Sequence, residues 1–165
     1  MMKPAELVEL LEDVSGLSGG DLFEKGFSIY RDLYLAKGRV VGVEKTHDGH
    51  ILLFHEDRFE HAFQTTSDRL CSPDRKDIVD AKRIARIRWV RPVVTGQVTS
   101  TACFEVPSPT GRSRPPNRLY VVESELYVVW LEPRTSGGWK FSSAYPATRD
   151  GVERYKRGGR TVGRW

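Results

Sequence analysis

Only two cysteines, Cys71 and Cys103, occur in the 165 residues, and no CxxC or Cys/His spacing surrounds them. A disulfide framework or a zinc site is therefore unsupported. No apolar run approaches membrane-spanning length, and Met1-Met2-Lys3-Pro4 leads into a polar–apolar helix instead of the apolar core of a signal segment. The expectation is a cytoplasmic protein without a membrane partner. Missing too are a GxGxxG fingerprint, a Walker loop and a nucleophile elbow. Dinucleotide enzymes, P-loop NTPases and serine hydrolases of that type thereby lose most of their standing, and the sequence calls for no cofactor. There is no internal repeat, and the only low-complexity stretch is Pro107 to Arg118.

What is present is charge, unevenly spread. The net charge is only +4, yet Arg75 to Arg91 holds seven basic residues against two acidic ones. The last twelve residues add Arg154, Lys156, Arg157, Arg160 and Arg164 with no acid, whereas the first twenty carry Glu6, Glu9, Glu12 and Asp13 against Lys3. A modest total with a strong local excess suggests a surface that faces a polyanion, most commonly nucleic acid. The length suits one core. The expected organisation is one α+β domain over 1–150, with a helical part at 4–36 and a core at 39–146, followed by a loose basic tail at 151–165.

Pro4 to Val14 reads as a helix with an amphipathic stripe that includes Leu7 and Leu11, and Asp21 opens a second helical stretch through Leu33. Val40, Val41 and Val43, an Asp48-Gly49 turn and Ile51 to Phe54 predict a β-hairpin. Ser67 to Lys76 is a polar connection. Ile78 to about Arg88 reads as a helix that Pro92 ends, with Arg91 extended before it and Val93-Val94 in a short strand. Ala102 to Val106 predicts a strand, and Leu119–Val122 with Leu126–Leu131 predicts a hairpin covered on both faces. In the last strand, Trp139 to Tyr145, strict alternation places Trp139, Phe141, Ser143 and Tyr145 on one face. Helices early and antiparallel strands late give α+β: N-terminal helices on one side of an antiparallel meander sheet of about four to six strands.

The stretch Phe54 to Phe63, FHEDRFEHAF, concentrates chemistry. Asp57 caps a helix on which Phe59, Ala62 and Phe63 form an inward stripe, and Arg58 and His61, three apart, lie on the other flank. Four histidines, His47, His50, His55 and His61, fall within fifteen residues, but they straddle a turn and two elements. Metal ligands favour helical i, i+4 or strand i, i+2 spacing, so a site with Asp48 is the minor reading. His47 and His50 read as surface turn residues and His55 as a cap. Arg112, Arg114 and Arg118 make the polar loop either a phosphate contact or a plain connection.

The order FHEDRFEHAF, DAKRIARIRWVRPVVTG, CFEVP, RLYVVESELYVVWLEP and WKFSSAYP resembles the barnase–EndoU–colicin–RelE-like nucleases, in the versions carried by phages and mobile elements. The resemblance covers roughly Arg39 to Pro146. It implies an RNA endonuclease that works without metal, in which the ribose 2′-OH attacks the adjacent phosphorus and leaves a 2′,3′-cyclic phosphate. His61 would serve as base or acid. Arg83 and Arg86, with Arg58 beside His61, would grip the phosphate, and Ser143 and Tyr145 would donate to it or align the ribose. Lys45, Lys82, Arg112 and Arg114 would bind the RNA backbone. An acidic inhibitor protein would accompany a toxin. Two other classes compete with this reading. A non-catalytic nucleic-acid-binding module would use the same basic surface and ignore loss of His61. A structural accessory would dock a partner through Leu7 and Leu11.

Overall fold

The computed structural model describes residues 1–67, 70–71, 76–109 and 114–165. The segment Pro4–Leu10 is a 3-10 helix, not the longer helix expected through Val14. The Glu12 backbone N–H donates to Ala85 O, which draws the chain out of the helix just after this turn. Leu7 is fully buried within the chain, so it is not available to dock a partner. Helix α1 follows, Gly19–Tyr34, entered from Ser18.

Strands β1 (Val41–Lys45) and β2 (Ile51–His55) form the expected hairpin, with Val41 opposite His55 and Lys45 opposite Ile51. Gly42 lies so close to the end of α1 that a Cβ there would sit 1.6 Å from Tyr34 O, so the position admits only glycine. Helix α2 is Arg58–Phe63. Phe59, Ala62 and Phe63 face inward as the spacing demanded, although the Asp57 side chain makes no capping bond. The Phe59 and Phe63 rings join Tyr30, Phe54 and Phe141 in one aromatic cluster. Such a ring is worth about 3–5 kcal/mol against truncation to Ala.

The helix expected over Ile78–Arg88 is divided. Ile78–Val79 (β4) pairs with Gln64–Thr65 (β3) as a small separate ladder. The Asp80 side chain then accepts from the Lys82 and Arg83 N–H groups and starts α3 at Ala81–Ala85. A 3-10 turn, Ile87–Trp89, leads into α4, Val90–Val94. Pro92 thus sits inside a helix, in its first turn, where no backbone N–H is required. The expected extended Arg91 and strand at Val93-Val94 are overturned for that reason.

The remaining strands are β5 (Thr101–Val106), β6 (Asn117–Val122), β7 (Tyr127–Pro133) and β8 (Trp139–Pro146). After α5, Arg149–Gly158, the chain returns as β9, Arg160–Arg164, so the expected loose tail is an edge strand paired with β5. The main sheet has seven strands in the order β1-β2-β8-β7-β6-β5-β9, antiparallel except for β2 beside β8. The α+β expectation holds, with more strands than the four to six foreseen. The N-terminal helices cover one face. Helix α5 covers part of the other, packing Val152 against Phe104, Leu119, Val121 and Val128. Covering from both sides explains why β6 and β7 are nearly continuous apolar runs.

One irregularity reorganises β8. Trp130 pairs with Ser143 but the next residue, Leu131, pairs with Phe141, so Ser142 is an extra residue in β8. Phe141 and Ala144 both join the helix-side core, which an unbroken alternation forbids. Ser143 and Tyr145 consequently lie on the α5 face, opposite Trp139 and Phe141, and the expected sharing of one face by all four is corrected.

The β1–β2 turn folds back onto β6 and β9. His47 Nδ1 lies 2.9 Å from Tyr120 Oη, and its ring stacks on Trp165 at 4.3 Å between centroids. Arg118, only 3% exposed, donates Nη1 to both Asp48 carboxylate oxygens at 2.9 Å and packs over the Trp139 ring. This overturns Arg118 as a solvent-facing loop cation, and His47 as a plain surface turn residue. Burial opposes ionisation of Asp48, but hydrogen bonds from Thr46 and His50 and the Arg118 charge outweigh it and hold the carboxyl below its usual range. Burial likewise holds His47 below the ordinary imidazole value.

Asp48→Ala leaves the buried Arg118 charge unpaired and should cost about 3–5 kcal/mol by urea denaturation. Both depressed groups favour the fold in their deprotonated forms. Wild-type stability should therefore fall with acidification below about pH 6.5 through His47, and further below about pH 4 through Asp48. The lower step should vanish in Asp48→Ala; its persistence would place that titration elsewhere.

Candidate active site

The face of the sheet that carries α5 holds three hollows with shared walls. The first is bordered by Lys82, Arg83 and Arg154 and shares Tyr145 and Tyr155 with the second. The second, of about 380 Å³, is floored by Trp130, Ser142 and Ser143 and shares Asn117 and Glu132 with the third. The third is bordered by Arg114, Arg134 and Lys140. Together they make a groove with cations at both ends and aromatic rings at its centre. A larger hollow, of about 500 Å³, lies where α1 meets β1 and mixes Arg31, Lys37 and Arg39 with Asp32 and Glu56. None of the expected site residues lines it.

Each side chain in the groove is placed by a local cause. The inward phenylalanines of α2 turn Arg58 and His61 outward, and α2 packs along β8. Asp80 both caps α3 and holds the Arg83 guanidinium, Nε to Oδ2 at 3.4 Å, while Arg83 Nη1 donates to Ala62 O at 3.0 Å. That fixes Arg83 over the Tyr145 ring at 4.8 Å. The Tyr145 hydroxyl accepts from Trp130 Nε1 at 3.0 Å and lies 3.2 Å from the Tyr155 hydroxyl. Burial pushes Tyr145 well above the ordinary phenol value, so it is a neutral hydrogen-bond donor.

Glu132 was not singled out from the sequence, yet it organises the third hollow. Its Oε2 meets Arg58 Nη2 and Lys140 Nζ, both at 3.2 Å, and its Oε1 accepts from Ser142 Oγ at 3.1 Å. Burial works against its charge, but Arg58 and the bonds from Lys140 and Ser142 prevail and hold the carboxyl below its usual range. His61 stands on the exposed side of α2. Crowding by neighbouring atoms and the charges of Arg58 and Lys76 lower its pKa, Glu132 opposes them, and Arg83 adds a smaller push in the same direction. The imidazole is therefore neutral near pH 7, ready to accept a proton.

The expected residues separate into two groups. Arg83, Ser143, Tyr145, Lys82 and Arg114 line the groove, and Arg58 reaches its wall through Glu132; His61 lines none of the three hollows and lies within reach of the Glu132 and Arg83 charges. Arg86 takes another position: it lies 5.1 Å over the Trp89 ring and donates Nη1 to Lys82 O, away from the groove walls. Lys45 is exposed at the end of edge strand β1, also away from them. Arg112 lies outside the described residues. Glu132, Trp130, Lys140 and Tyr155 are groove residues that sequence reasoning missed. The one available signal was the polar Glu132 closing the apolar run Leu126 to Leu131. Among the described residues no three histidine, cysteine or carboxylate side chains converge to hold a metal, and no helix is long and apolar enough to cross a membrane. Comparison with protein-family models, curated proteins and solved structures finds no match.

The charge order around His61 gives a direct check. By NMR its imidazole should titrate below the ordinary value of about 6.5. Glu132→Gln should lower that value further, and Arg58→Ala should raise it. Shifts of the opposite sign would mean that these charges do not face His61.

Proposed function

We propose that this groove cleaves RNA by attack of a ribose 2′-OH on the adjacent phosphorus, without a metal ion. The observation that carries this reading is the fixed Arg83 guanidinium over Tyr145, with His61 near enough for the Arg83 charge to lower its proton affinity. The reaction needs an acceptor for the 2′-OH proton, a donor for the departing 5′-oxygen, and positive charge around the phosphorane. His61 takes the proton from the 2′-OH as the new O–P bond forms. The 5′-oxygen leaves as its bond to phosphorus breaks and takes a proton from the Tyr145 hydroxyl, which burial keeps neutral. The product chain then ends in a 2′,3′-cyclic phosphate. Arg83 and Lys82 supply positive charge to the non-bridging oxygens, and Ser143 adds a hydroxyl donor on the same strand face as Tyr145. Arg58 is held by Glu132 and tunes the proton affinity of His61 more than it grips phosphate.

The test is incubation of total RNA with the purified protein in EDTA, with end-group analysis of the fragments. Wild type should yield 2′,3′-cyclic phosphate ends. His61→Ala should lose roughly 10²–10⁴ of the rate, and Arg83→Ala roughly 10²–10³. Tight, salt-sensitive binding with no cleavage by any of the three would replace this reading with the non-catalytic binding module.

A further inference from the structure

The aromatic wall of the central hollow is not accounted for by phosphate chemistry alone. Its walls are Trp130 from β7, Tyr145 from β8 and Tyr155 from α5, with Pro107 and Pro109 at the rim. The three rings are locked to one another. Trp130 meets Tyr155 edge to face at 5.1 Å and 88°, and the Tyr145 hydroxyl ties both together through its bonds to the Trp130 indole and the Tyr155 hydroxyl. None of the three is fully buried, although rings of this size usually complete a core when the fold permits. Here they stand as a rigid apolar recess of about 380 Å³, within the roughly 300–1,000 Å³ range of small-ligand sites. The Asn117 side chain at the same recess makes no hydrogen bond among the described residues, which leaves its amide donor and acceptor available.

The flanks decide what kind of ligand such a recess takes. Lys82, Arg83 and Arg154 stand at one side, and Arg114, Arg134 and Lys140 at the other. A flat aromatic group carried between two anionic groups fits that order of surfaces. An unpaired nucleobase between successive phosphates has this chemistry, and base–aromatic stacking tolerates any base because each has a π-face. We infer that the recess is a base-stacking subsite, so the groove accepts single-stranded RNA with one splayed base and rejects duplex. The Asn117 amide reads the edge of that base. The inference deepens the nuclease reading by naming its substrate class, and it is tested on binding so that the two can fail separately.

The experiment titrates the 165-residue chain with 2′-O-methyl RNA, which lacks the attacking hydroxyl, and follows affinity and the Trp130 indole N–H resonance. The probes are a single strand, the same sequence as a duplex, and a single strand of abasic ribose phosphates. The single strand should shift the Trp130 resonance and bind at least tenfold more tightly than either other probe. Tyr155→Leu should weaken single-strand binding roughly tenfold while leaving abasic binding unchanged. Trp130→Phe, which keeps a ring in place, should lose much less. Equal affinity for all three probes, or an unmoved Trp130 resonance in the presence of bound single strand, overturns the subsite and leaves a purely electrostatic groove. Base-dependent binding by a protein that never cleaves unmodified RNA would uphold the subsite and remove the nuclease.

Discussion

A single extra residue in β8 decides which side chains this protein can present. A regular strand shows alternate residues to each face, so Phe141 could not share a face with Ala144. The inserted Ser142 breaks the alternation once. Before the break Phe141 enters the aromatic core under α1 and α2; after it Ala144 enters the same core, while Ser143 and Tyr145 are delivered to the other face. Without the bulge, Ser143 and Tyr145 would turn into the helix-side core, where an unpartnered hydroxyl is costly. The groove, its fixed Arg83–Tyr145 contact and the ring cluster around Trp130 all depend on Ser142 being bulged out of the ladder and not paired in register.

Charge in the molecule is arranged by burial. The deeply buried arginine, Arg118, is matched by Asp48 and works as a clasp between the β1–β2 turn and β6. The groove cations are only partly covered, and its carboxylates are fewer: Glu132 binds Arg58 and Lys140, and Asp80 pairs with Arg83 in a hollow that also holds Lys82 and Arg154. The groove thus keeps a surplus of positive charge at both ends, and the neutral His61 stands within its field. An imidazole surrounded by more cations than anions loses affinity for its proton, which suits a base and disfavours an acid at neutral pH.

Local patterns in the sequence carry much of this architecture. The valine-rich hairpin around Asp48-Gly49, the inward stripe of α2 and the two-sided burial of β6 and β7 follow from periodicity and turn chemistry. That Arg58 and His61 face away from the core was legible for the same reason, since a stripe facing inward fixes which residues face out. What was hidden depends on long-range contacts. A bulge leaves no mark in the alternation of Trp139 to Tyr145, because the partner strand imposes it. Arg118 looks like one more cation in a basic loop until the distant Asp48 meets it. Likewise the chain after Arg157 looks loose because β9 is polar and exposed, and only pairing with β5 makes it a strand. Arg86 matched Arg83 in spacing and charge, but the nearby Trp89 ring holds it elsewhere.

The most direct measurement of the central claim is ultraviolet crosslinking of a single-stranded RNA to the protein, with the attached residues identified by mass spectrometry. If the face that carries Ser143 and Tyr145 receives the RNA, attachment falls on Trp130, Tyr145 or Tyr155 and drops sharply in Tyr155→Leu. Attachment confined to the hollow between α1 and β1, or unchanged by that substitution, would contradict the account.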